Sequence, residues 1–194
     1  MTKETTKDRI LAHAAQIIRK KGFNNTGIQE ILQSAGVPKG SFYFYFKSKE
    51  DLGLALIDYH AEALAERNAP IFESMETPPL ERLEKFFEGA RLLCDQEEGR
   101  AGCPIGNLTQ EMGILSDAFQ GRLRRVFNGM KTAIRKCLEE AQTRNEIDPD
   151  LDADETADFV VNSWQGALLR MKAEGNLQPL VLFEKMLFGC ILKR

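Results

Sequence analysis

Apolar residues recur at spacings of three and four along almost the whole chain, and this periodicity restricts the fold more than any other feature. Residues 7–21 carry Ile10, Ala14 and Ile18 at such spacings, and basic residues precede the stop at Gly22. No segment shows the sustained alternation of apolar and polar residues that a half-buried strand requires. The sequence therefore predicts an all-α protein of about nine helices.

Two short helices joined by a tight turn are predicted after the first helix. Thr26 and Gln29 have the spacing of a capping box, so we expect the second helix to begin there and to stop at Gly36. A proline two residues later suits the first turn of the third helix. Residues 28–44 thus have the pattern of a helix-turn-helix, with the first helix as its brace.

Five consecutive aromatic residues, 42–46, lie between lysines on both sides. Phe42 and Phe46 are four residues apart and share a helix face, which we expect to pack inward. The other face presents hydroxyl and ammonium groups, as a recognition helix in a major groove requires. Base contacts are expected at the start of this helix, and phosphate contacts from its tyrosines and the lysines that follow. The residues predicted to contact DNA are Thr26, Gln29, Lys39, Gly40, Ser41, Tyr43, Tyr45, Lys47 and Lys49.

The charge of the chain is unevenly distributed. The 194 residues carry a net charge of −3, yet residues 1–50 hold nine Lys/Arg against four Asp/Glu, a net +5. The remaining 144 residues therefore carry −8. A basic N-terminal segment joined to an acidic remainder of the chain indicates a polyanionic partner for the N-terminal segment. A solvated helical face would give the same local excess.

We divide the chain into a DNA-binding domain, residues 1–50, and an effector-binding and dimerisation domain, residues 51–194. A connecting helix of about residues 48–70, capped by Ser48, joins them. The last two predicted helices, about 154–174 and 179–192, are apolar nearly all round. Such helices at a chain end require a partner surface.

Several classes of protein are disfavoured. No apolar run reaches the roughly 20 residues that span a bilayer, and the N-terminal segment is too polar for a secretory signal, so we expect a cytoplasmic protein without a membrane partner. The four cysteines form no CxxC pair and the two histidines no ligand cluster, so we expect free thiols, no metal and no cofactor. Phosphate-binding and nucleophile-elbow motifs are also missing, which argues against an enzyme.

The segment "FNNTGIQEILQSAGVPKGSFYFYFKSKEDL" resembles the DNA-binding domain of the TetR family of bacterial transcriptional regulators, and the likeness extends over roughly residues 5–60. It implies an all-helical homodimer that pairs through its last two helices as a four-helix bundle and binds a near-palindromic, double-stranded operator. It also implies a repressor that leaves the DNA when a small molecule binds the larger C-terminal part. Gly27 departs from the family, which commonly has Ser or Thr there near a phosphate.

An effector pocket is predicted in the C-terminal part, where an apolar wall carries a few polar groups. The alternative for each of these residues is a place in the core or the dimer interface. The candidate lining residues are Phe87, Arg91, Cys103, Asn107, Phe127, Trp164 and Gln165.

Cys103 is a candidate sensor of electrophiles or oxidants. It precedes Pro104 at a predicted helix start, where the helix dipole and the nearby Arg100 would favour the thiolate. Its surroundings also resemble a TetR subgroup that senses such compounds through a cysteine, and Lys172 is a candidate to stabilise the thiolate. The alternative is that Cys103 only packs the start of a helix.

Two other functions remain open at this point. One is a helical adaptor with no role on DNA, and the other is an enzyme that uses Cys103. The net positive charge of residues 1–50 and the lysines around the aromatic run argue against the adaptor, and the missing catalytic motifs argue against the enzyme.

Overall fold

The chain is helical throughout the part that the computed structural model describes, residues 5–96 and 102–193. Over these residues there are nine α-helices and no strand, so the prediction of an all-α fold is confirmed. A π-helical turn, Leu187–Ile191, follows the last of them. The helices are α1 (Thr6–Lys21), α2 (Ile28–Ala35), α3 (Lys39–Tyr45), α4 (Lys49–Phe72), α5 (Pro79–Gln96), α6 (Pro104–Met112), α7 (Asp117–Thr143), α8 (Ala153–Glu174) and α9 (Gln178–Met186).

The start of α2 differs from the prediction. Gly27 is the N-cap, and no side chain caps the helix, so the capping box of Thr26 and Gln29 is wrong. The hydroxyl of Thr26 instead donates to the carbonyl of Gly22 at 2.7 Å. The hydroxyl that a capping box would require is therefore used in the turn between α1 and α2.

The turn of the helix-turn-helix forms as its sequence predicts. Gly36 ends α2 in the left-handed conformation, with φ 63°, which glycine adopts without strain. The N–H of Val37 donates to the carbonyl of Leu32 at 2.9 Å and completes the end of the helix. At the next junction the hydroxyl of Ser48 accepts from the N–H of Asp51 at 3.1 Å, which confirms the predicted cap of α4.

The described chain packs as two compact units. The first comprises residues 1–63 and 104–124, and the second comprises residues 64–103 and 125–194. These units do not follow the predicted boundary at residue 50, because α6 and the start of α7 pack with the N-terminal helices. The division by function, DNA binding before effector binding, stays a prediction.

A cluster of aromatic rings forms part of the core of the first unit. Phe23 and Phe119 meet edge to face with their centroids 5.5 Å apart. Gly53 of α4 lies against both rings, and a Cβ there would come within 2.4 Å of Phe119 and 2.7 Å of Phe23. Only glycine lets α4 approach the two rings this closely.

The second unit has its own core, built on three aromatic side chains. The ring of Phe87 lies 5.1 Å from that of Trp164 and 5.0 Å from that of Phe183. Beside this core the guanidinium of Arg82, only 3% exposed, binds the carboxylate of Glu140 and the carbonyl of Phe72. Through these two contacts the side chain of Arg82 holds α5, α7 and the end of α4 together.

The described residues contain no helix long and apolar enough to cross a membrane. Among the same residues, no group of three or more His, Cys, Asp or Glu is arranged to hold a metal ion.

Candidate nucleic-acid interface

Helix α3 has one buried and one exposed face. Phe42 is 0% exposed and Phe46, the residue that ends the helix, is 2% exposed, and their rings pack 5.5 Å apart. This confirms the prediction that the two phenylalanines anchor the helix. The side chains between them therefore point away from the core.

Most of the predicted DNA contacts lie on the accessible side of α2, α3 and the turn that follows. The exposed ones are Gln29, Lys39, Gly40, Tyr43 and Lys47, while Ser41, Tyr45 and Lys49 are half-buried. Amide, ammonium and phenol groups are therefore accessible on these elements, and we call these residues the α3 face. This chemistry suits both base edges and phosphate oxygens.

Thr26 does not belong to the α3 face. Its side chain is 1% exposed and its hydroxyl is bound to the carbonyl of Gly22. The predicted DNA contact of this side chain is therefore corrected to a structural role in the turn between α1 and α2.

Lys49 is held against the turn between α1 and α2. Its ammonium group donates to the carbonyl of Asn24 at 3.2 Å and lies 4.8 Å from the ring centre of Phe23. Burial lowers the pKa of Lys49, and the nearby carboxylate of Glu111 opposes that shift. The lysine thus stabilises the turn in addition to any contact with DNA.

Glu111 is a structural residue that sequence reasoning missed. Its carboxylate accepts from the backbone N–H groups of Phe23 and Asn24, each at 2.9 Å. Gly22, with φ 85°, leaves the space for it, because a Cβ there would lie 3.0 Å from both carboxylate oxygens. Nothing local in the sequence indicates a contact across almost 90 residues, so only the fold reveals it.

Phe44 is the second residue that the sequence analysis did not assign. It lies on α3 with 82% of its surface exposed, and neighbouring Tyr43 is 59% exposed. The ring of Tyr45 meets that of Phe44 edge to face at 4.9 Å. The signal was present in the sequence, since residue 44 lies two positions from each anchoring phenylalanine and so falls on the opposite side of the helix.

The effector pocket stays a prediction, and two of its aromatic candidates pack in the core of the second unit. Phe87 and Trp164 are 1% and 8% exposed and belong to the packed core, so a ligand that touches them must enter it. Arg91 is paired with Glu184 at 2.9 Å, and Phe127 is half-buried against the core. A groove of about 380 Å³ runs instead along α8 and α9, and none of the seven predicted residues lines it.

The surroundings of Cys103 are only partly described. The thiol is half-buried, and Lys172 is exposed near the end of α8. Arg100, the predicted positive neighbour, lies outside the described residues. Burial raises the pKa of the Cys94 thiol, the nearby Cys103 raises it further, and Arg67 opposes the shift.

Two family models match the chain. The model of bacterial regulatory proteins of the tetR family matches residues 10–56, which include the helix-turn-helix and the α3 face. The model of the tetracyclin repressor-like C-terminal domain matches residues 79–187. The chain belongs to the TetR family.

Two curated transcriptional regulators are similar to the chain over most of its length. The chain is 34% identical to the HTH-type transcriptional repressor DhaR of Mycobacterium sp. (strain GP1), covering 99% of this chain and 95% of the relative. It is 38% identical to the transcriptional regulator AcuR of Cereibacter sphaeroides, covering 92% and 84%.

Two solved structures share the fold. A regulatory protein TetR from Rhodobacter sphaeroides superposes with a TM-score of 0.86 at 36% identity, covering 93% of this chain and 95% of that one. The reduced form of NemR from E. coli superposes with a TM-score of 0.85 at 25% identity, covering 95% of each chain.

Proposed function

We propose that this TetR-family protein is a transcriptional repressor that binds a DNA operator as a homodimer and leaves it when a small-molecule effector binds. The observation that carries the proposal is the α3 face, where polar and basic side chains are exposed on a helix anchored by Phe42 and Phe46. The names of DhaR and NemR as repressors support the direction of regulation.

On the operator, α3 enters the major groove. The side chains of Gln29, Lys39 and Ser41 contact base edges, while Tyr43 and Lys47 bind phosphates. The first turn of α2 has no side-chain cap, so its backbone N–H groups also suit a phosphate. Two copies of the chain then read two half-sites about one helical turn or somewhat more apart.

The homodimer forms through α8 and α9. Phe159, Leu182 and Met186 are 51%, 52% and 45% exposed, and all three line the groove along these helices. Exposed apolar side chains in one continuous surface are typical of an interface, and two such helix pairs form a four-helix bundle.

Selection from genomic DNA tests the function directly. The purified protein is mixed with fragments of its own genome, and the bound fragments are sequenced and footprinted. We expect one or a few near-palindromic sites in promoter regions, and a reporter behind such a promoter should be repressed. Fragments without a shared sequence would contradict the proposal and favour the helical adaptor.

We propose that the effector binds in a pocket of the second unit, next to the aromatic core that contains Trp164. Trp164 packs against Phe87 and Phe183, so a ligand that enters near Arg91 or Gln165 changes the surroundings of the indole. Because Trp164 is the one tryptophan of the sequence, its fluorescence reports this change. An inducer that releases the DNA and leaves the fluorescence unchanged would rule out a pocket next to Trp164.

A covalent effector is the second candidate, with Cys103 as its target and Lys172 as its neighbour. The half-buried thiol supports it, as does the similarity to NemR, whose solved structure is described as a reduced form. N-ethylmaleimide should release wild-type protein and a Cys190→Ser variant from the operator, but not a Cys103→Ser variant. Cys190 is the control because it is exposed. Equal release of all three proteins would instead favour a reversible ligand.

A further inference from the structure

Phe44 is exposed on the surface where DNA is proposed to bind. It is 82% exposed, whereas Phe42 and Phe46 on the same short segment are 0% and 2% exposed. A single exposed apolar side chain is common on protein surfaces. This one, however, lies among the amide, ammonium and phenol groups of the α3 face.

The helix geometry puts Phe44 beside the residues proposed to read bases. It follows Gly40 by four positions and Ser41 by three, so all three lie on the same side of α3. A Cβ on Gly40 would meet no atom within 4 Å, so the packing of the protein does not require a glycine there. Because Gly40 has no side chain, the base edges on the floor of the DNA major groove can approach this side of α3.

The major groove offers few apolar partners to a phenyl ring. Base edges there present hydrogen-bond donors and acceptors, and the exception is the C5-methyl group of thymine. The ring of Phe44 has no polar atom, and the edge-to-face contact with Tyr45 at 4.9 Å restricts where it can turn.

We propose that Phe44 is a specificity-determining residue that reads a thymine methyl group in each half-site of the operator. This inference rests on the proposed DNA-binding function and adds the base that α3 prefers at one position. Contact of the ring with a deoxyribose is the other use of an exposed phenylalanine in a groove, and it would carry no sequence information.

Replacement of thymine by uracil tests the inference, because it removes only the methyl group. Synthetic operators are made with uracil at each thymine in turn, symmetrically in both half-sites, and the Kd is measured by fluorescence anisotropy at constant salt. We expect one position at which wild-type protein binds about fourfold more weakly per methyl group removed.

Variants of α3 identify the residue responsible. Phe44→Ala should bind the thymine and uracil operators equally at that position, whereas Tyr43→Ala should keep the wild-type difference. Phe44→Leu retains an apolar side chain and should keep part of the difference in affinity between the thymine and uracil operators. Circular dichroism checks that each variant is folded, and Phe44 is suited to substitution because the core does not contain it.

The possible results distinguish a failure of this inference from a failure of the proposed DNA-binding function. Selective operator binding without any loss on uracil substitution would overturn the role of Phe44 and leave the DNA-binding function intact. An equal loss for Phe44→Ala on operator and random duplex would also overturn it, in favour of a sugar contact. If the wild-type protein showed no operator preference at all, both proposals would fail.

Discussion

The carboxylate of Glu111 binds two backbone N–H groups in the turn between α1 and α2, at Phe23 and Asn24. Hydrogen bonds that involve a charged group contribute more to stability than neutral ones, and their loss leaves the N–H groups without a partner. The same turn carries the carbonyl that Lys49 binds. One side chain of α6 thus fixes the turn that supports the start of α4.

Replacing Glu111 by alanine should lower the free energy of unfolding by about 1–3 kcal/mol, measured by urea denaturation. Glu62→Ala is the control, because Glu62 is an exposed glutamate of α4. That control should change the free energy by no more than about 0.5 kcal/mol. If the two variants were equally stable, the turn would not depend on Glu111.

His60 should make the protein less stable in mild acid. Burial, together with the nearby charge of Arg19, lowers the pKa of His60 from 6.5 to about 4. Between these values the unfolded chain binds a proton that the folded protein does not, so stability falls as the pH drops below 6.5. At higher pH the histidine is neutral in both states and has no such effect.

Denaturation of wild type and His60→Gln at pH 7.5 and pH 5 measures this contribution. The wild type should lose about 2 kcal/mol more than the variant between the two conditions. Parallel losses would mean that His60 protonates as easily in the folded protein as in the unfolded chain.

Helix α3 should divide DNA recognition between its two ends. Lys47→Ala and Tyr43→Phe each remove one group proposed to bind phosphate, and both side chains are exposed. They should weaken binding to operator and random duplex alike, and Lys47→Ala should reduce the slope of log Kd against log salt by about 1.

Changes on α2 and at the start of α3 should act differently. Lys39→Ala, Ser41→Ala and Gln29→Ala should alter the preferred bases in a selection from random duplexes, since base contacts carry the sequence information. If these variants selected the wild-type sequence and lost affinity equally on every duplex, the division would be wrong.

Helices α8 and α9 should hold two chains together. Met186→Glu introduces a charge on the groove between them and should convert the dimer to a monomer in analytical ultracentrifugation, because an unpaired charge is costly to bury in an interface. Met75→Glu is the matched control, since Met75 is 77% exposed and lies outside these helices. A dimeric Met186→Glu variant would place the interface elsewhere.

The helices could be predicted from the sequence because their signals are local. Apolar spacing, the glycine at residue 36 and the serine cap at residue 48 act within a few positions, and each forms as expected. Thr26 precedes the second helix closely enough to suggest a cap, and only the folded turn shows that its hydroxyl binds the carbonyl of Gly22. Glu111 depends on a contact between distant segments, which no local pattern indicates.

The predicted effector pocket rests on a sequence pattern that does not distinguish a pocket from a core. Apolar residues at helical spacing line a core and a pocket equally well, and Phe87 and Trp164 pack in the core. The family could be identified from about 50 residues because many positions of its DNA-binding helices carry characteristic residue types. The match to residues 10–56 confirms the family.

The affinity of the wild-type protein for its selected operator, compared with a scrambled duplex of equal length over a series of salt concentrations, tests the central claim most directly. We expect binding to the operator to be at least about a thousandfold tighter. We also expect affinity for both duplexes to fall linearly with log salt, because lysines and tyrosines of the α3 face neutralise or contact phosphates. Equal affinity for the two duplexes at every salt concentration would contradict the account of this protein as an operator-binding repressor.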